Sequence, residues 1–297
     1  MSFWGIDLGG TKIEGVVLPA ADSLQPLCRL RVPTDSHLGY DRVRGRVAEL
    51  VEGLAAEAGH RPEVLGIGTP GVLDPRSRTL KNSNATCLNG RPLLDDLTAD
   101  LGCRVEMAND ANCFALAEAR LGAGRGAGIL FGVILGTGVG GGVVVDGRVL
   151  HGGQGIAGEW GHNVLDPGGD PCYCGRRGCV ETVLSGPGLE RFYEERSGTR
   201  RELPEIASRA EAGTDEVAVA AVERLAEGFG RAIASVVNIL DPHVVVLGGG
   251  VSNVDALYGR GVESMARWVF NDRLDTRVLR NELGDSAGVF GAAMLGA

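Results

Sequence analysis

Apolar positions recur along this chain with two periods, and the alternation between them predicts the elements. Residues 2–8, SFWGIDL, form an apolar run with Asp7 at its end and predict a buried strand. GGTK turns the chain, and IEGVVL over 13–18 predicts a returning strand and hence a hairpin. Over 40–58 the period lengthens: Val43, Val47, Leu50, Val51 and Leu54 share one helical face. A strand over 64–71 ends in Pro70-Gly71, and RVEMA over 104–108 predicts another. NDANCFALAEARLG then predicts a helix with Asn109 or Asp110 as its N-cap. Near the midpoint the pattern restarts. A strand over 129–135 is followed by the turn GTGVGG and a return strand over 143–147. A helix over about 215–240 stops before Asp241-Pro242, where the proline disfavours helical backbone ahead of it. HVVVLGGG (243–250) predicts a strand, RVLR (277–280) a last one, and AGVFGAAML a short apolar helix. Two halves that each open on a strand–glycine turn–strand hairpin predict an α/β duplication. Two such domains facing each other would leave a ligand cleft between the glycine turns.

Composition narrows the class. The 297 residues carry a net charge of −9, which speaks against a nucleic-acid surface. No apolar run approaches the ~18 residues of a membrane span. MSFWGIDLGG shows no basic stretch followed by an apolar one, so the expected location is cytoplasmic, with no membrane partner. Glycine is in excess, at 48 residues, with clusters in DLGGTK, ILGTGVGGG and VVVLGGG, each just after an apolar run. A backbone of that kind turns tightly or lies against something. Cys28, Cys87, Cys103 and Cys113 are scattered and read as ordinary buried thiols.

Three motifs carry candidate chemistry. In DLGGTK, Asp7 at a strand end suits Mg²⁺ or its water shell. Gly9, Gly10, Thr11 and Lys12 supply amides, a hydroxyl and a positive charge for phosphate oxygens, although a lone GG turn serves a plain hairpin equally well. The repeat of this chemistry in LGTGVGGG favours the phosphate reading, and VVVLGGG offers a flat backbone surface for a base and ribose. Neither GxGxxG nor the P-loop pattern fits the hairpin context. In NDAN, Asp110 at a strand–helix junction suits a general base, or serves only as a cap. In GHNVLDPGGDPCYCGRRGCVET (161–182), His162, Cys172, Cys174 and Cys179 have the spacing His-x₉-Cys-x-Cys-x₄-Cys. One imidazole and three thiolates complete a tetrahedral Zn²⁺ shell, which leaves no place for an activated water. The metal would then be structural, with Gly175 and Gly178 making the turns of its loop.

In this order, DLGGTK, NDAN, ILGTGVGGG, GEWGH, CYCGRRGCVET and VVVLGGGVSN resemble the ROK family of sugar kinases and repressors over essentially the whole chain. The resemblance implies an α/β, actin-like (hexokinase/ribonuclease H-like) two-domain fold with a duplicated βββαβα-type core and an interdomain cleft. The expected small domain is 1–115 plus 283–297, and 116–282 is the large domain carrying the zinc-clipped sugar loop. It further implies ATP-dependent phosphorylation of a hexose, Mg²⁺ with the ATP, and a homodimer. By motif match Asp110 is the base. Asn84, Asn109, Asp110, Glu159, His162 and Glu181 contact the sugar, beside the backbone of Gly71. His162 would bind the metal through one ring nitrogen and a sugar hydroxyl through the other. The ATP set is Gly5, Asp7, Gly9, Gly10, Thr11 and Lys12, then Gly136, Thr137, Gly138, Gly140 and Gly141, then Gly248, Gly249 and Gly250.

Within the family, KNSNATCLNGRPL, AGEWGHN and PCYCGRRGCVET most resemble the fructokinase (mannokinase) branch, ahead of N-acetylglucosamine kinases and glucokinases. Fructose is therefore the expected sugar. Cys87 stands where that branch often carries an aromatic residue. The expected step is in-line transfer, with Asp110 taking the proton of the attacking hydroxyl. Two rivals from other classes fare worse. A sugar-sensing repressor needs a helix-turn-helix, and the hairpin begins too early to leave room for one. An actin-like scaffold has no use for the polar constellation or the cysteine loop.

Overall fold

The computed structural model describes residues 2–297. Its first half runs β1 (Phe3–Leu8), β2 (Lys12–Leu18), β3 (Cys28–Pro33), α1 (Tyr40–Ala58), β4 (Val64–Thr69), the small hairpin β5 (Val72–Leu73) and β6 (Leu80–Lys81), α2 (Leu93–Leu101), β7 (Arg104–Asn109) and α3 (Asp110–Arg120). The second half runs β8 (Ile129–Leu135), β9 (Val139–Val145), β10 (Arg148–Val149), α4 (Val180–Leu184), α5 (Gly186–Ser197), α6 (Leu203–Glu211), α7 (Glu216–Leu240), β11 (Val244–Gly248), α8 (Arg260–Trp268), β12 (Arg277–Arg280) and α9 (Ala287–Met294). The two five-stranded sheets have the orders β3-β2-β1-β4-β7 and β10-β9-β8-β11-β12. These are the same topology written twice, as the repeated hairpins predict. No helix among the described residues is long and apolar enough to cross a membrane.

Contacts divide the chain into two compact units, 1–126 with 142–157 and 282–297, and 127–141 with 158–281. The first unit takes in all of α3 and the segment 142–157, so its bounds differ from the 1–115 plus 283–297 expected from the sequence. Domain membership is set by packing, which no local pattern encodes.

In the first unit β1 sorts its residues by strand alternation. Trp4, Ile6 and Leu8 join the buried cluster with Val43, Val47, Leu50 and Leu54 of α1. Gly5 and Asp7 face the other way, toward α9. There the helix approaches the sheet backbone to backbone. A Cβ on Gly66 would lie 1.7 Å from the Ala292 carbonyl oxygen, and one on Gly5 would lie 2.4 Å from Ala293 N. On its far side, a Cβ on Gly291 would lie 1.8 Å from the carbonyl oxygen of Cys113 in α3. The start of the C-terminal segment is pinned by Glu118, a fully buried carboxylate. It accepts from the amides of Ala123 at 2.9 Å, Glu282 at 3.2 Å and Leu283 at 3.0 Å. Three amide donors offset the cost of burying the charge.

Gly66→Ala is expected to cost at least about 2 kcal/mol, because the helix backbone cannot yield to a methyl group. Gly45→Ala in α1, where a Cβ meets nothing within 4 Å, is expected to add about 0.5–1 kcal/mol through helix propensity. Urea midpoints for the two variants should move in opposite directions.

Candidate functional site

Asp7 is the next-to-last residue of β1, and the turn after the strand is held from behind. Thr34 Oγ1 donates to the Gly9 carbonyl at 2.7 Å, and Ser36 Oγ to the Gly10 carbonyl at 3.1 Å. The Thr11 carbonyl accepts from Thr34 N, and the Lys12 carbonyl from Gly9 N, both at 3.0 Å. All four carbonyls are thus engaged, while the amides of Gly10 and Thr11 donate to no group among the described residues. The turn therefore presents donors, the polarity an anion needs. The Asp7 carboxyl is raised above the ordinary range, first by burial and then by Glu14, against the opposing charge of Lys12. Room around it comes from Gly288, whose Cβ position lies 3.3 Å from Asp7 Oδ2.

Asn84 belongs to the same neighbourhood, with its Oδ1 3.8 Å from the Cβ position of Gly10. Its loop is braced by Asn89, which accepts from Ser83 N and donates to the Ser83 carbonyl, both at 2.9 Å. Cys87 is half-buried and packs against the unit's core. Gly71 lets the return of the small hairpin lie close, since a Cβ there would meet the Lys81 carbonyl oxygen at 2.8 Å.

Asn109 is the N-cap of α3, its side chain accepting from Ala111 N at 2.9 Å, and Asp110 is the first helical residue. Asp110 is exposed, and its Oδ1 also accepts from Ala111 N, at 2.7 Å. One turn on, the buried Cys113 thiol is pushed well up by burial and then by Asp7 and Asp110. Both carboxylates therefore act on one small region of the first unit.

The second unit gathers the remaining groups. In the turn after β8, Gly136 N donates to the Gly138 carbonyl and Gly186 N to the Gly136 carbonyl, both at 2.9 Å. The Trp160 indole donates to the Gly140 carbonyl at 3.3 Å. Val139 N donates to Glu181 Oε2 at 3.0 Å, and a Cβ on Gly138 would come within 2.8 Å of that same oxygen. Glu159 precedes a 3₁₀ turn over Trp160–His162. Its carboxyl is raised by burial, with Glu181 adding and His162 opposing.

The ligand atoms of His162, Cys172, Cys174 and Cys179 all lie within 4.8 Å of one another. His162 turns Nδ1 to Cys172 Sγ at 3.6 Å, and Cys174 Sγ is 3.6 Å from Cys179 Sγ. The other imidazole nitrogen, Nε2, lies 3.1 Å from Tyr173 Oη. Gly175 and Gly178 have φ of +87° and +65°, and a Cβ on Gly178 would lie 1.4 Å from the Asp166 carbonyl oxygen. Only glycine fits there. Arg191, which sequence reasoning missed, donates through Nη2 to Asp170 at 3.1 Å and to the Thr182 carbonyl at 3.3 Å, tying both ends of the loop.

Three of the glycines expected at the nucleotide are also required by the packing. Gly5 is buried in mid-strand, paired with Val16 on one side and Gly66 on the other, so its backbone is consumed by the sheet. Gly141 is buried where a Cβ would strike Trp160, Phe131 and the Gly158 carbonyl. Gly249 has φ +82° and sits over Leu135, whose carbonyl oxygen a Cβ would approach to 2.4 Å. Beside it Gly248 ends β11, and Gly250 borders a cavity of 420 Å³ whose lining is apolar at Leu203, Pro204, Ala207 and Val222 and polar at Ser208, Glu211, Asn253, Asp255 and Arg260. Thr137 lies in the turn ahead of β9.

The chain matches the ROK family over residues 3–297. An N-acetyl-D-glucosamine kinase of Vibrio vulnificus (strain YJ016) is 36% identical over 306 residues, covering 99% of this chain and 98% of its own. A ROK hexokinase from Thermus thermophilus has a TM-score of 0.89 at 37% identity, covering 99% of this chain and 97% of its own. A ROK family glucokinase from Streptomyces griseus, solved in complex with glucose and AMPPNP, has a TM-score of 0.79 at 30% identity, with 99% of both chains covered. With this likeness spanning the whole length and the duplicated sheets already in place, the chain belongs to the ROK family and is a sugar kinase of the actin-like, two-domain fold.

Proposed function

We propose that the protein is an ATP-dependent hexose kinase that prefers N-acetyl-D-glucosamine and uses Asp110 as general base. The observation that carries phosphoryl transfer is the Gly9–Lys12 turn, whose carbonyls are all engaged and whose Gly10 and Thr11 amides are offered beside Lys12. That is a preorganised field for phosphate oxygens. For the sugar, the support is the 36% identity to a kinase named for N-acetyl-D-glucosamine. Fructose, which the motif strings put first, yields to it.

In this reading Glu159, His162, Glu181, Asn84 and Asn109 hold the sugar hydroxyls, near the Gly71 backbone. Asp110 accepts the proton of the attacking hydroxyl as its oxygen bonds to the γ-phosphorus, and ADP departs with the electrons of the broken P–O bond. Lys12 and the turn amides neutralise the phosphate charge, with Gly136, Thr137, Gly138 and Gly140 as further backbone contacts. The 420 Å³ cavity beside Gly250 takes the base, its apolar wall suiting a flat ring. Asp7, a raised carboxyl that a cation would relieve, would hold the Mg²⁺ or its water shell, which supplies positive charge to the phosphates. Assembly as a homodimer belongs to the same reading, supported by Ile239 and Phe270, 82% and 98% exposed beside Trp268.

The cysteine loop fits one structural Zn²⁺. A tetrahedral shell with Zn–S of ~2.3 Å separates its sulfurs by ~3.8 Å, close to the 3.6 Å between Cys174 and Cys179. His162 Nδ1, Cys172, Cys174 and Cys179 would be the four ligands, which fill the shell and hold Glu159, His162 and Glu181 in place rather than activating water.

Four outcomes test this reading. In a coupled assay, N-acetyl-D-glucosamine should give the highest kcat/KM among N-acetyl-D-glucosamine, glucose, mannose and fructose; a higher value for fructose sinks the sugar assignment. Asp110→Asn should lower kcat by ~10²–10⁴-fold with sugar binding retained, and wild-type turnover would remove Asp110 from the mechanism. Gly10→Val should fold normally, since a Cβ there meets only Asn84 Oδ1 at 3.8 Å, yet raise the KM for ATP; a change confined to the sugar KM would move the phosphate site elsewhere. Protein purified without chelator should contain one zinc per chain, and Cys174→Ser should lower both zinc content and thermal stability while raising the sugar KM.

A further inference from the structure

Tyr173 lies between two of the clustered thiols, Cys172 and Cys174, and 83% of it is exposed. Its ring meets the His162 ring edge to face, with centroids 5.2 Å apart and an interplanar angle of 86°. Its hydroxyl is 3.1 Å from His162 Nε2, while Nδ1 of the same imidazole faces Cys172 Sγ at 3.6 Å. The two nitrogens therefore have different work. If Nδ1 is the zinc ligand, as proposed above, its lone pair is taken and the ring proton sits on Nε2. That N–H is then the one donor His162 has, and Tyr173 Oη, 3.1 Å away, accepts it. The phenol hydroxyl both donates and accepts, the same hydrogen-bonding group that a sugar carries.

A single N–H makes one good hydrogen bond. If His162 donates to a sugar oxygen, Tyr173 must first leave. We infer that Tyr173 is a built-in stand-in for a substrate hydroxyl, which occupies His162 Nε2 in the free protein and is displaced when sugar binds. The inference rests on the reading of His162 as a sugar ligand given above. The exposure of the ring makes the exchange inexpensive, because rotating it away from His162 uncovers no part of the core. It also gives the imidazole a partner that holds its orientation before substrate arrives. The consequence is a weaker apparent affinity than the site would have with Nε2 free, since part of the binding energy goes to breaking the internal bond.

The test is Tyr173→Phe, which keeps the ring contact and removes only the accepting oxygen. Titration calorimetry without nucleotide, using N-acetyl-D-glucosamine or whichever hexose the assay above ranks first, should give a Kd lower by about three- to tenfold, the span of one exposed hydrogen bond. The kcat/KM for that sugar should rise with it, and zinc content should equal that of the wild type, because Tyr173 is not a ligand. A Kd that is unchanged or higher overturns the stand-in. Glu159→Gln in the same titration separates the two levels. If it weakens binding while Tyr173→Phe has no effect, the sugar site is sound and only the stand-in fails. If it binds as the wild type does, the reading of the sugar site fails, and the stand-in fails with it.

Discussion

The amide of Val139 donates to Glu181 Oε2 across 42 residues of sequence, and that bond joins the glycine turn after β8 to the cysteine loop. Glu181 is the second residue of α4, one position beyond Val180 and two beyond Cys179. Its other oxygen lies 3.7 Å from Cys172 Sγ. One carboxylate therefore touches a backbone turn with its first oxygen and the thiol cluster with its second. A shift of the cysteine loop moves Glu181, and through Val139 it moves the turn. Gly138 is required by the same contact, because any side chain there would drive the carboxylate away.

The two glycine turns share a design and differ in one respect. In each, carbonyls are bonded from behind by groups that arrive later in the chain: the Thr34 and Ser36 hydroxyls in the first, and the Gly186 amide and Trp160 indole in the second. Engaging the carbonyls strips the turn of acceptors and leaves its amides as the outward polarity. The first turn leaves its Gly10 and Thr11 amides without a partner among the described residues. The second gives one amide to Glu181, so part of its positive field is already neutralised. In the proposed reading the heavier share of phosphate charge would fall to the turn that also carries Lys12, whose charge opposes the rise of the Asp7 carboxyl. The duplication supplied two similar backbones, and the side chains around them divide the labour.

Much of the frame was legible because the signals that specify it are local. The apolar face of α1 predicts a helix over 40–58, and the helix is Tyr40–Ala58. The run at 129–135 predicts β8, and Asn109 caps α3 as the NDAN pattern allows. β3 was missed because CRLRVP is an edge strand whose exposed positions are arginine and proline rather than an apolar run. Glycine was read too uniformly. A glycine looks the same in sequence whether its Cβ position is nearly open, as at Gly10, or pressed against another backbone, as at Gly5 against α9. The braces of the site were invisible for a related reason. Thr34, Ser36 and Arg191 act at a distance, through hydrogen bonds to residues 9, 10, 170 and 182, and no spacing rule connects them.

The zinc proposed above answers to what the cysteine loop lacks. Between Asn163 and Gly178 the sequence is NVLDPGGDPCYCGRRG. Its large apolar residues are few, and two of them are out in solvent, Val164 at 53% and Tyr173 at 83% exposure. Ordering each residue costs ~1–2 kcal/mol of backbone entropy, and so little apolar burial cannot offset that over such a stretch. Glycines at 168, 169, 175 and 178 increase the deficit, since glycine loses the most freedom on folding. Backbone bonds such as Gly178 N to the Asp170 carbonyl at 2.7 Å and the Arg191 brace recover part of it. The remainder would fall to the four-ligand cluster, which with zinc bound would cross-link His162 to Cys179 across the loop. A wider hydrophobic core would have fixed the loop too, but in the proposed reading it would have filled with side chains the space in which Glu159, His162 and Glu181 meet the sugar. A point cross-link orders the backbone while leaving that surface free.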